Sequence, residues 1–121
     1  MEIFRIDEFI KTDNPNPGTR FKIEFLEDKE KIENLGGLFG LLPPGVQTPY
    51  HFHNKRESII IPIRGEATEI VEGEEIPIKA NDILYIPAGE KHATVNRTDK
   101  DFLYLEFHTY PPVGADFIEV E

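Results

Sequence analysis

Residues 45–57 read Gly45-Val-Gln-Thr-Pro-Tyr-His51-Phe-His53-Asn-Lys-Arg-Glu57. In an extended strand alternate side chains share a face. His51 and His53 therefore point the same way, with imidazoles close enough to share one ion. Glu57 keeps that parity if the chain stays roughly extended. Two imidazoles and a carboxylate form a borderline donor set that suits first-row divalent metals. Residues 81–96 read Asn81-Asp-Ile-Leu-Tyr-Ile-Pro87-Ala-Gly89-Glu-Lys-His92-Ala-Thr-Val-Asn96. Pro87 and Gly89 make a tight turn that delivers His92 onto a new strand. If that strand lies beside the first, His92 adds a third imidazole.

Working outward, the chain reads as short strands separated by turn formers. Glu2 to Ile6 alternates weakly, and Asp13 to Gly18 is a loop of Asn, Pro and Gly. From Arg20 to Leu26, Phe21, Ile23 and Phe25 fall on one face and Arg20, Lys22 and Glu24 on the other. Glu27 to Asn34 is a charge cluster that reads as a solvated loop or one helical turn. Leu35 to Leu42 is apolar and punctuated by glycine. Ser58 to Ile63 is a β-branched run in which Pro62 signals an edge position or a bulge. Glu72 to Glu75 reads as a hairpin turn between Ala67–Val71 and Ile76–Lys79. Ile83 to Ile86, Phe102 to Thr109 and Asp116 to Val120 complete the strands. No stretch of a dozen residues carries a helical period, so the reading is all-β, a sandwich or barrel in a single domain, 1–121.

The two histidine segments resemble the paired motifs of the cupin superfamily. Gly45, His51, His53 and Glu57 match the first motif, after which seven residues, against the family's six, precede Gly65. Pro87, Gly89, His92 and Asn96 match the second, with Asn81 standing where glycine is usual. Counting back from Gly65 puts Ser58 in the carboxylate slot, and counting forward from the histidines puts Glu57 there. Glu57 is preferred because serine is a poor ligand and a bulge near Pro62 can absorb the extra residue. The motif core spans 45–96.

The resemblance implies a double-stranded β-helix, or jelly-roll barrel, with one divalent transition metal on His51, His53, Glu57 and His92 near an open end. Fe, Mn, Zn, Ni, Co and Cu are all compatible with such ligands. It also implies a homodimer in which the N-terminal strand, with Phe4 and Phe9, pairs with the partner's sheet. Cupins include isomerases, decarboxylases and dioxygenases, and the ligand set does not choose among them. The expectation is a metal-dependent enzyme acting on a small oxygen-rich metabolite. The alternative is a non-catalytic sensor or binding module.

Other residues leave alternatives open. Tyr104, Glu106 and His108 share one face of the late strand and Leu103, Leu105 and Phe107 the other, and either face can line the cavity. If the polar face does, His108, Tyr104 and Glu106 are the catalytic candidates. Gln47 shares the parity of His51 and can line the pocket mouth. Asn96 reads as a residue that satisfies backbone groups at a turn.

Composition narrows the partners. A net charge of −10 repels phosphate backbones and anionic lipid, which argues against nucleic acid and membrane. There is no cysteine, so neither a disulfide nor a thiolate site is possible. The N-terminal segment mixes charges into every turn and does not read as a signal peptide, so the cytoplasm is the expected location.

Overall fold

The computed structural model describes residues 1–26, 32–109 and 116–120. These hold a short helix, α1 (Ile6–Ile10), and ten strands. The strands are β1 (Phe21–Leu26), β2 (Leu35–Leu42), β3 (His51–Phe52), β4 (Ser58–Arg64), β5 (Glu66–Val71), β6 (Glu74–Lys79), β7 (Leu84–Ile86), β8 (His92–Val95), β9 (Phe102–Thr109) and β10 (Ile118–Glu119). They form two five-stranded sheets, ordered β1-β2-β9-β4-β7 and β10-β3-β8-β5-β6, with all pairings antiparallel. This is the all-β double-sheet architecture that the strand pattern and the motif resemblance predict. Residues 27–31 of the charge cluster lie outside the described residues.

Alternation places the core. β2 and β9 pair from Leu35↔Thr109 to Leu42↔Phe102, so Gly36, Leu38, Gly40 and Leu42 share a face with His108, Glu106, Tyr104 and Phe102. Leu38, Leu42, Phe102 and Tyr104 join Ile60, Ala67, Ile78 and Ile86 in one buried cluster between the sheets. That settles the orientation of β9: its polar face turns inward. The opposite face carries Phe107, whose ring meets Phe25 edge-on at 5.9 Å.

The N-terminus departs from expectation. Glu2–Ile6 forms no strand, and α1 follows it. Phe4 and Phe9 pack against Phe25 of their own chain at 5.0 and 5.3 Å, and Phe9 also reaches Phe39 at 5.7 Å. Packing these rings on the outer face of the first sheet outweighs the weak strand pattern, although Phe4 stays 38% exposed.

Turn chemistry follows the sequence closely. Glu72 and Gly73 both have positive φ, 46° and 82°, as a two-residue type I′ hairpin requires. Asn81, in the place of the usual glycine, has φ 80°. The β4–β9 register shifts between Pro62 and Arg64, which is the anticipated bulge. β4 is an internal strand, and its proline is tolerated because the ladder to β7 ends at Ile60↔Leu84. Among the described residues no helix is long and apolar enough to cross a membrane.

Candidate metal centre

β3 and β8 meet at His51↔His92, so the two motifs are direct cross-strand neighbours. His51, His53 and His92 are all buried, and one ligand atom from each lies within 4.8 Å of the others. The ring centroids of His51 stand 4.9 Å from His53 and 4.3 Å from His92. Phe117, just before β10, stacks on His51 at 4.3 Å and closes one side.

Each ring is held through Nδ1. His51 Nδ1 donates to the Pro49 carbonyl at 2.7 Å, and His53 Nδ1 donates to the Asp116 carbonyl. His92 Nδ1 donates to the Glu69 carboxylate at 3.0 Å. A carbonyl oxygen can only accept, so the proton of His51 and of His53 sits on Nδ1 and the Nε2 lone pair is left bare. His92 Nε2 is buried with no hydrogen-bond partner. An orphaned buried imidazole nitrogen beside two others is costly unless a cation takes its lone pair. Burial, with the neighbouring His92, pushes the His51 pKa down to about 3, and burial also lowers that of His53. Both rings are thus neutral near pH 7, as metal ligation requires. Three imidazole nitrogen donors, each ring oriented by an outer acceptor, fit a divalent transition metal.

The outer contacts are residues the sequence does not single out. Glu69 is 1% exposed and also accepts from the Thr94 hydroxyl at 2.5 Å. Asp116 accepts the backbone N–H groups of Asn54, Lys55 and Arg56 at 2.9, 2.7 and 3.0 Å. These three bonds hold its carboxyl below the usual range.

Asp116 also explains why Glu57 is not with the histidines. Residues 54–55 bend around its carboxylate instead of staying extended, and the bend reverses the parity. Arg56 and Ser58 turn inward, 1% and 2% exposed, while Glu57 points outward to accept from the Tyr85 hydroxyl at 2.5 Å. The described cluster thus consists of His51, His53 and His92, with the side chain of Glu57 directed to Tyr85. Ser58 occupies the inward position that counting back from Gly65 selects. Glu57→Ala is therefore expected to leave metal stoichiometry unchanged, as read by elemental analysis. A loss of metal on that substitution would restore Glu57 as a ligand.

The catalytic candidates Tyr104, Glu106 and His108 lie on the inward face. Gly36 and Gly40 make room for two of them: an added Cβ would overlap the His108 ring at Gly36 and the Tyr104 ring at Gly40. Burial pushes the Glu106 carboxyl up, opposed by the nearby Arg20. Arg20 donates from Nε and Nη2 to the Tyr104 hydroxyl at 3.2 and 2.8 Å. Gln47 is exposed and bridges to Val95. Asn96 does what its type suggests, donating to the Leu42 and Lys100 carbonyls and accepting from Thr98.

His108 is 3% exposed and neither ring nitrogen has a hydrogen-bond partner. Burial, with Arg56 adding to it, lowers its pKa from 6.5 to about 4. The folded chain thus binds this proton less readily than the unfolded chain. The stability it contributes is fully present above pH 6.5 and is lost as the pH falls through 4. At about 1.4 kcal/mol per pH unit the loss is on the order of 3 kcal/mol. His51 and His53 add slope of the same sign. Urea unfolding of the metal-free chain across this window is expected to show a shallower pH dependence for His108→Leu. An unaltered slope would contradict the assignment.

Comparison with known proteins bears on the family and the fold. Residues 38–108, more than half of the chain, match the model of the cupin domain family. The chain is 35% identical over 82 residues to an oxalate-binding protein of Thermotoga maritima, covering 66% of this chain and 68% of that protein. An uncharacterized conserved protein with a double-stranded β-helix domain from Klebsiella pneumoniae superposes with a TM-score of 0.81 at 24% identity, over 100% of this chain and 98% of its own. That likeness bears on the fold alone. A sugar phosphate isomerase from a cupin superfamily, from Silicibacter pomeroyi, superposes with a TM-score of 0.69 at 25% identity, over 82% of this chain and 69% of its own. From the two motifs, the double-sheet barrel and the matched family model together, the chain belongs to the cupin domain family.

Proposed function

We propose that this cupin holds one divalent transition metal on His51, His53 and His92 and uses it in an enzymatic reaction on a small oxygen-rich anion. The observation that carries the reading is the common orientation of the three rings, each tied through Nδ1 to an outer acceptor. A metal bound there supplies Lewis acidity toward carboxylate or carbonyl oxygens. The chain's own residues do the rest. Glu69 and the carbonyls of Pro49 and Asp116 fix the imidazoles. Glu106, on the inward face of β9 with its carboxyl pushed up by burial, is the candidate to hold or deliver a proton between the sheets. The relatives named above, an oxalate-binding protein and a sugar phosphate isomerase, both have names that point to small oxygen-rich anions, which supports that substrate class.

Binding without turnover is the second reading, favoured by the name of the Thermotoga relative. The two separate on one experiment. The chain is loaded in turn with Mn, Fe, Co, Ni, Cu and Zn and incubated with small carboxylates and sugar phosphates. Product formation with one metal supports the enzyme. Saturable binding with no product supports the binding module. Neither outcome with any metal would sink both.

A homodimer belongs to the same reading. Ile59, Ile83 and Tyr85 are exposed by 42%, 74% and 57%, and Ile59 and Tyr85 pair across β4 and β7 on one outer face. Light scattering is expected to give twice the 13.9 kDa chain mass.

A further inference from the structure

The chain carries a large negative charge, yet a guanidinium is turned into its barrel. Arg20 immediately precedes β1, on the same face as Lys22 and Glu24. That face is the inner one, because Lys22 pairs with Gly40 and Glu24 with Leu38. Arg20 is half-buried and gives two of its five N–H bonds to the Tyr104 hydroxyl, a neutral acceptor. Among the described residues no carboxylate lies within ion-pair distance of it. The carboxylates there that come within 4.0 Å of a basic nitrogen are those of Glu69 beside His92, Glu75 beside Arg97 and Glu106 beside His108. Tyr104, which holds Arg20, lies on the inward face of β9 with Glu106, and the guanidinium charge is felt at Glu106 and at His51, so Arg20 stands near the histidines between the sheets.

The position of the guanidinium is built. Tyr104 is 4% exposed and its ring lies in the slot left by Gly40, which leaves it little freedom to move. Anchored there on Nε and Nη2, the guanidinium keeps its remaining donors for another acceptor. A planar donor fork with no ion-paired carboxylate, half-buried on the inner face, matches a carboxylate geometrically and electrostatically.

We propose that Arg20, positioned by Tyr104, is the anion-recognition residue beside the histidine cluster, and that the ligand is a small dicarboxylate with one end on Arg20 and the other at that cluster. The assignment deepens the metal-dependent reading above and rests on it.

The test is calorimetric titration of oxalate into the wild type and into Arg20→Gln, each loaded with manganese and each metal-free. Metal content is measured before and after titration. Loss of one charge-assisted contact predicts binding about 10- to 100-fold weaker in Arg20→Gln, with manganese content unchanged. Arg20→Lys keeps the charge but not the fork, and is expected to fall between the two. Equal oxalate affinity in folded Arg20→Gln and wild type overturns the proposal. If Arg20→Gln does not fold, as judged by thermal melting, Tyr104→Phe decides. It removes only the anchoring oxygen and should weaken oxalate by about 3- to 10-fold, and unchanged affinity overturns the proposal. A wild type that takes up no manganese defeats the metal reading alone, and the metal-free pair then carries the comparison. A wild type that binds no oxalate with or without manganese defeats the Arg20 assignment.

Discussion

Replacing His92 with alanine is expected to strip the metal from the chain. His92 is the one ligand supplied by β8. Its Nε2 has no other partner, and its Nδ1 is fixed by a buried carboxylate. Loss of an outer partner in such sites costs about 10- to 100-fold in metal affinity. Loss of the ligand itself should exceed about 100-fold, enough to remove metal on dialysis. The substitution also leaves Glu69 buried with only the Thr94 hydroxyl. A destabilisation on the order of 1–3 kcal/mol is expected from that half-satisfied carboxylate. Glu69→Gln separates the two effects. It keeps the shape, and it should weaken metal by the smaller factor while the chain stays folded. Elemental analysis after dialysis and urea unfolding read the two quantities. Full metal retention in His92→Ala would contradict the assignment.

Gly40→Ala is expected to be strongly destabilising for a single added methyl. An alanine Cβ at this position would overlap the Tyr104 ring. The backbone cannot retreat, because Gly40 is paired to Lys22 on one side and to Tyr104 on the other. The ring cannot swing away freely either, since it stacks on Phe102 at 5.6 Å and its hydroxyl holds Arg20. Overpacking of this kind costs on the order of 2–4 kcal/mol. For a domain of this size that is a fall in melting temperature of roughly 10 °C. Adding Tyr104→Leu to Gly40→Ala should recover part of the loss, because the two residues compete for one volume. Full additivity of the two changes would show that the ring is not the obstacle.

The same pair explains what the sequence reveals and what it hides. The three histidines are legible because their spacing obeys local rules. A period of two puts His51 beside His53, and a Pro-x-Gly turn brings His92 onto the next strand. The hairpin at Glu72-Gly73 and the left-handed Asn81 are legible for the same reason. The outward direction of Glu57 is not legible because its parity depends on Asp116, about sixty residues away, whose carboxylate bends residues 54–56. Nothing near Glu57 announces that bend, although the extra residue before Gly65 is its trace in the motif spacing. Arg56 hides inside a charged run, yet it is buried and donates to the Thr109 carbonyl at 3.1 Å. Glu69 and Arg20 look like ordinary outward residues until the sheets are stacked. The β9 alternation is plain in sequence, but only packing tells which face is inner. Gly36 and Gly40 hold that information, and their role is visible only once their cross-strand partners are known.

The most direct test of the account is elemental analysis of the wild-type chain, purified without a chelating tag and then exposed to a mixture of divalent transition metals before exhaustive dialysis. Three buried imidazoles converging on one point predict close to one equivalent of a single transition metal per chain. A chain that retains no metal after this treatment, while remaining folded, would contradict the assignment of His51, His53 and His92 as a metal centre.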